Sequence, residues 1–527
     1  MVAVPEAFTD TVMGVVSPGC RGNAWSASSM NVLFVLYGDF SSNSANSLAL
    51  FAREFDGSGH SCAVAVPSRL ETVSHYENPT FRPLLYRDVL TAPESVFPNG
   101  RRADVIHACT PREVVRRFVM TYMAQKPTPL VIYLEDNESW ISTRALGFDE
   151  GTLTQHTEKE ISDRLPSALA HPFYYENFVG LADAVAVIQD KLRIEVPPWV
   201  HCETVMPGVD LNFFSPRPPD LSLRAKYAIA KNDRLIIYHG GLNQFTRPGI
   251  ETLCRAVGII KQQGYPCRLL RTGPFALDFL GQLSVDTASA ISDLGFLPQP
   301  ELPDLLALAD VFVQPGKIDP FEDLRLPAKV PEFLAMGRPV VMPDVNIAHL
   351  FTDGMDAVLL RAGTPEEIAA KCVLLFSDPH RANRIGQAGR LMAEKYFDVR
   401  AQARCLEDVY KAAYNIFNPA LAAEVWKQAD ENTSLTLLLA RKLKLLAASS
   451  RKLDIAAADI LMEYARSLEY MQRRVGGLET VIAKRDSTQR NAQFIRPKQR
   501  IVQLIHKARR YWLSRLDVYG ENQRKRK

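Results

Sequence analysis

No uninterrupted apolar run in the 527 residues reaches the ~18 needed to span a bilayer, so no segment reads as a membrane helix. Cysteine is sparse and unpatterned. The eight residues (20, 62, 109, 202, 254, 267, 372, 405) have neither metal-ligand nor redox spacing, and they read as small buried hydrophobes in a reducing compartment rather than a disulfide framework. No Asp-x-Asp occurs, and no zinc knuckle, RNA-binding signature or helix-turn-helix pattern is present, which argues against nucleic acid as a partner. The first cation is Arg21, so the start lacks the charged region of a secretory signal, and Ser17-Pro18-Gly19-Cys20 makes a poor lipoprotein signal. Residues 1–29 read as a disordered leader or a mis-called start, because Met30 opens the first strand-like segment.

Hydrophobic content of 47% and charged content of 23% are ordinary for a globular protein, and the length suggests roughly three to four units. The net charge of +3 hides an asymmetry. Residues 421–527 hold 23 Lys+Arg against 11 Asp+Glu, whereas the preceding 420 hold 39 against 48. The last stretch, Ile501–Leu516, is basic and amphipathic with Tyr511 and Trp512, and the chain closes on Arg524-Lys525-Arg526-Lys527. Residues 501–527 suit an anionic membrane surface, with a helix docked on the rest of the protein as the alternative.

Strands and helices alternate from Met30 onward. Met30–Leu36, Ser61–Val66, Asp104–Ala108, Leu130–Leu134 and Ala184–Ile188 read as buried strands, which predicts a doubly wound parallel sheet. A second alternation places strands at Arg234–His239, Cys267–Arg271, Val311–Gln314 and Pro339–Met342. After Pro419 the pattern changes to helices without strands, over Leu435–Leu446 and Ile455–Met471, broken by Gly476-Gly477.

The most informative stretch is Leu326-Pro327-Ala328-Lys329-Val330-Pro331-Glu332-Phe333-Leu334-Ala335-Met336-Gly337-Arg338-Pro339-Val340-Val341. It reads as a loop with a cation, then a short helix with a carboxylate in its first turn, stopped by Gly337 in the left-handed C′ position. A lysine at a helix start suits a phosphate, and a glutamate further in can accept from two neighbouring hydroxyls, as on a ribose. The plain alternative is a solvated Lys–Glu pair before loop punctuation. Pro331 reads as a departure, since a proline within a helix clashes with the preceding turn.

This segment resembles the donor-binding signature of retaining glycosyltransferases of family 4, in the variant leucine-proline-x-lysine-x-x-glutamate. Pro207-Gly208-Val209-Asp210, Gly295-Phe296-Leu297-Pro298 and Tyr396-Phe397-Asp398 resemble further family segments in the right order, so the resemblance covers about residues 30–417. It implies an α/β GT-B fold: two Rossmann-like doubly wound domains facing a cleft, plus an α-helical C-terminal extension. The boundaries are 30–206 for the N-terminal, acceptor-side domain and 207–395 for the nucleotide-sugar donor domain. Residues 396–418 form a helix crossing back, and 419–527 the basic helical extension.

The resemblance further implies transfer of a sugar from a nucleotide-diphosphate sugar to a glycan, lipid-linked or surface-polymer acceptor, in the cytoplasm or peripherally on the cytoplasmic membrane face. No cofactor or metal is required, in keeping with the missing Asp-x-Asp. Charge builds on the departing diphosphate as the glycosidic bond breaks. Arg247 and Lys329 are assigned to it, with Gly240 and Gly241 allowing close backbone approach and Arg271 ranked lower. Glu332 takes the ribose, within a donor site that includes Pro331. Leu324 stands where the family's first glutamate is usual, so Glu322 or Asp323, or else Asp319 of the same loop, is the expected substitute at the sugar. Glu135, Asp136 and Glu138 after a first-domain strand, and Asn43 after the first strand, are acceptor-side candidates; for Asn43 a helix-cap loop is the alternative. His107 reads as structural. The rival readings are a catalytically degenerate GT-B scaffold and a GT-B sugar-nucleotide epimerase.

Overall fold

The computed structural model describes residues 29–148, 153, 156, 158–430, 433–449, 458, 461–462 and 464–468. The leader up to residue 28, most of the expected helix Ile455–Met471, Gly476-Gly477 and the basic tail 501–527 lie outside the described residues. The chain divides into two units. One runs to Val205 and resumes at Arg404; the other is Met206–Ala403.

The first unit holds seven strands: β1 (Asn31–Val35), β2 (Ser61–Val66), β3 (Arg82–Leu85), β4 (Val105–Cys109), β5 (Leu130–Leu134), β6 (Ala184–Val187) and β7 (His201–Thr204). All pair in parallel, in the order β3-β2-β1-β4-β5-β6-β7, so the winding reverses between β1 and β4. Every residue of β1, β4 and β5 is buried. Such strands carry no polar alternation because both faces are covered. After β1, Ser42 caps the helix Asn43–Gly57 by accepting from the Ala45 N–H, and Leu48, Phe51 and Phe55 form its buried stripe.

His107 lies fully buried on β4, with Nδ1 2.8 Å from the Tyr410 hydroxyl and its ring between Phe34 and Tyr133. Burial lowers its pKa from 6.5 to about 3, so the ring stays neutral and serves packing. Tyr410 belongs to the helix Val399–Ile416, within which the chain passes from the second unit back to the first.

The helices Pro419–Trp426 and Leu435–Ser449 also belong to the first unit. Lys442 is buried there and donates to the carbonyls of Leu181 (2.8 Å) and Ala182 (2.7 Å) at the end of the helix Tyr175–Leu181. A cation at a helix C-terminus satisfies carbonyls that have no intrahelical donor.

The second unit holds β8 (Arg234–His239), β9 (Cys267–Thr272), β10 (Ile291–Asp293), β11 (Val311–Val313), β12 (Val340–Pro343) and β13 (Val358–Leu360). They too are parallel, ordered β10-β9-β8-β11-β12-β13, with the reversal between β8 and β11. Its core packs Ile236, Leu253, Val257, Leu269, Val311 and Val341. Val209 and Asp398 form an isolated bridge: the Val209 N–H donates to the Phe397 carbonyl, and the Val399 N–H to that of Val209.

Among the described residues no helix is long and apolar enough to cross a membrane.

Candidate functional site

In an open parallel sheet the strand ends beside a winding reversal leave a crevice where ligands bind. In the second unit this is the C-terminal end of β8 and β11. β8 ends in Tyr238-His239 and is followed by Gly240-Gly241, and a Cβ on Gly240 would lie 2.9 Å from Cε and 3.1 Å from Nζ of Lys329. Only a residue without a side chain lets the lysine lie against the strand end. The Lys329 ammonium rests over the Tyr238 ring, 4.9 Å from its centroid, and among the described residues it has no carboxylate partner. It is a half-buried cation with unspent charge.

Lys329 is the first residue of the helix Lys329–Ala335, and Glu332 the fourth. Three residues apart on a helix, they are neighbours on one face, while Val330, Phe333, Leu334 and Ala335 are buried. The expected clash at Pro331 does not arise. Pro331 is the third residue, and a first-turn N–H has no intrahelical acceptor to lose. The helix spans only seven residues, so the cation of Lys329 rather than a helix dipole is the feature suited to a phosphate. Gly337 ends it with φ +68°, as its position after the helix predicts.

Glu332 has a neighbour that sequence reasoning missed. Its Oε2 lies 2.5 Å from Nε2 of His239, whose ring packs edge-on against Phe333 at 5.4 Å. Arg271, ranked low as a ligand group, is fully buried and fixes the loops. Its guanidinium donates to the carbonyls of Gly240 (2.8 Å), Pro274 (2.8 Å) and Phe275 (2.6 Å) and to Asp293 (3.0 Å). One side chain thus ties the ends of β8, β9 and β10 together. The Gly273 backbone packs onto that of Gly240, with no room for a Cβ between them. The loops held this way carry two exposed aromatics, Phe275 (74%) and Phe296 (67%). A buried arginine at the end of an apolar strand, followed by Gly273-Pro274, was the available signal.

Other expected residues are engaged elsewhere. Arg247 opens the helix Arg247–Gln262, and its cation is shared by Glu251 (2.9 Å) and Asp278 (2.7 Å). No described contact joins it to Lys329. Glu322 and Asp323 lie on the short helix Pro320–Leu324 after β11. Glu322 is buried against Gly316 with Arg325 3.3 Å away, and Asp323 accepts from the Asn346 N–H at 3.0 Å. Phe245, in the loop after β8, and Phe321, on that short helix, are in ring contact. Gly241 packs near Pro274.

In the first unit, Glu135 follows β5 and accepts from the Ser44 hydroxyl at 2.5 Å. Burial raises its pKa to about 7, partly offset by that hydrogen bond. Glu138 is spent: it is buried, accepts from Arg112 Nε at 3.1 Å, and the same guanidinium covers the Tyr37 ring at 3.9 Å. Asn137 caps the helix Glu138–Ala145, leaving Asp136 partly exposed between the two glutamates. Asn43 is the exposed first residue of its helix, so the cap-loop alternative describes that segment. Among the described residues no cluster of His, Cys, Asp or Glu could hold a metal.

Residues 233–378 match the family model for glycosyl transferases group 1. The D-inositol 3-phosphate glycosyltransferase of Thermobispora bispora is 27% identical over 244 residues, 44% of this chain and 55% of that protein. The putative glycosyltransferase EpsD of Bacillus subtilis is 25% identical over 212 residues, 39% of this chain and 53% of that one. The chain therefore spans about half the length of the curated relatives it matches. Among solved structures, Anabaena HepE in complex with UDP and glucose superposes with a TM-score of 0.55 at 16% identity, covering 72% of this chain and 98% of HepE.

Proposed function

We propose that this chain, a GT-B-fold protein whose second unit carries a glycosyl transferase group 1 domain, moves a sugar from a nucleotide-diphosphate sugar onto a glycan, lipid-linked or surface-polymer acceptor with retention of configuration. The observation that carries this reading is the pairing of Lys329 and Glu332 on one helical face at the reversal point of the second sheet. There a cation with no carboxylate partner among the described residues lies against Gly240. An ammonium in that position stabilises the charge that grows on the departing diphosphate. Glu332 accepts from the ribose hydroxyls, and the exposed rings of Phe275 and Phe296 offer flat apolar faces to a base. HepE was solved with UDP and glucose, which supports a nucleotide donor here. On the acceptor side Glu135 is the group we assign, because Glu138 is already paired with Arg112.

A second reading, a degenerate scaffold, draws on Arg247, whose cation is already neutralised by Glu251 and Asp278, and on Leu324. A thermal-shift and hydrolysis screen against uridine, guanosine and adenosine diphosphate sugars separates the two. The transferase reading expects stabilisation and slow hydrolysis with one base, both lost in Glu332→Ala. A folded chain that responds to none of these donors, or a fully active Glu332→Ala, rejects it.

A further inference from the structure

The Glu332 carboxylate is not free to turn. Its Oε2 is out of reach of solvent, as is Nε2 of His239. The two atoms lie 2.5 Å apart off the line of a hydrogen bond, and among the described residues neither makes a hydrogen bond. Two bare lone pairs would repel at that distance, so the ring proton is assigned to Nε2. The ring's own orientation is fixed by the edge-on contact with Phe333, which is stacked in turn on Phe312 with centroids 4.4 Å apart. His239 is the last residue of β8, immediately before the Gly240 that admits Lys329. One strand end therefore touches both residues assigned to the donor.

We propose that His239 is a positioning residue for the donor. It engages Oε2 of Glu332, and so presents Oε1 to the paired hydroxyls of a ribose. This rests on the reading of Glu332 as the ribose acceptor. Removing the imidazole takes away the polar edge packed against Oε2, and the carboxylate is then able to rotate. What is lost is selectivity for the ribose diol, not attraction for the diphosphate, which belongs to Lys329.

The test is calorimetric titration of the full chain with UDP, GDP and ADP, then with the 2′,3′-dideoxy form of whichever binds. His239→Phe keeps a ring on Phe333 without the N–H. It should weaken the diphosphate about tenfold, as expected when one ribose hydrogen bond to the Glu332 carboxylate is lost, and leave affinity for the dideoxy form unchanged. His239→Gln, which restores an N–H within reach, should recover most of the loss. In a Glu332→Gln background, His239→Phe should add nothing. Should His239→Phe fail to fold, His239→Asn, too short to reach Oε2, takes its place in the same comparison. Equal weakening of the normal and dideoxy ligands would assign His239 to packing alone and overturn the proposal. Unchanged affinity in a folded Glu332→Gln variant, or binding of none of the three diphosphates, would instead overturn the donor reading beneath it.

Discussion

Replacing Lys329 with methionine should weaken nucleoside diphosphate binding about ten- to thirtyfold, whereas Arg247→Met should change it less than about threefold. The magnitude follows from how each charge is held. A hydrogen bond to a charged group contributes about 1.5–3 kcal/mol, and partial exposure of Lys329 favours the lower half of that range. About 1.4 kcal/mol is a factor of ten in affinity. The cost to the fold is small. Among the described residues the interaction forfeited is the ammonium over Tyr238, about 0.5–1 kcal/mol at an exposed site and so roughly 1–4 °C in Tm. Arg247 differs because Glu251 and Asp278 already take its charge, and a neutralised surface cation contributes little. Isothermal titration of both variants at 50 and 300 mM salt gives the comparison. The Lys329 effect should shrink at high salt. A larger loss in Arg247→Met than in Lys329→Met would refute the reasoning and return the diphosphate to the helix Arg247–Gln262.

Gly273→Ala should cost about 1–3 kcal/mol in urea unfolding and abolish diphosphate binding. Its Cβ would fall 2.4 Å from the Gly240 carbonyl oxygen, at φ +143°, where only backbone can yield; retained binding would show the two loops to be independent. His107→Gln should flatten the acid side of the stability profile. The unfolded state takes up a proton near pH 6.5 and the folded state only near pH 3, so stability falls as pH drops between them, by about 2 kcal/mol from pH 6.5 to 5. Parallel urea-derived profiles for variant and wild type would contradict this. Glu135→Gln should raise the unfolding midpoint at pH 8 but not at pH 4. The folded carboxyl holds its proton up to about pH 7 and the unfolded one only to about 4.5, so the wild type loses stability as pH rises through that window. Differential scanning fluorimetry at the two pH values decides it, and equal shifts at both would mean the burial of Glu135 costs nothing.

The strands read correctly from the sequence and those missed differ in one respect. β1, β2, β4, β5, β6, β8, β9, β11 and β12 are interior strands, and all but β4 and β9 carry a continuous apolar run legible in one dimension. The four not anticipated, β3, β7, β10 and β13, are the four sheet edges. An edge strand is short and covered on fewer sides, so its residues need not be apolar; β3 contains no fully buried residue. The site divides similarly. The positions of Lys329 and Glu332 on one short helix, of Gly240 after β8 and of Gly337 at the helix end were legible because they depend on local spacing along a turn or a helix. The sequence by itself determined two parallel α/β sheets, their order along the chain, and a helix bearing a cation and a carboxylate one turn apart, since periodicity and short-range sterics suffice for these. Only the tertiary structure decided which charges are available. Arg247 and Glu138 are cancelled by partners, Asp323 is taken by a backbone N–H, Arg271 becomes a loop clamp, and His239 meets Glu332 across 93 positions. Ion pairing and desolvation depend on separations in space, and the distance along the chain does not encode them.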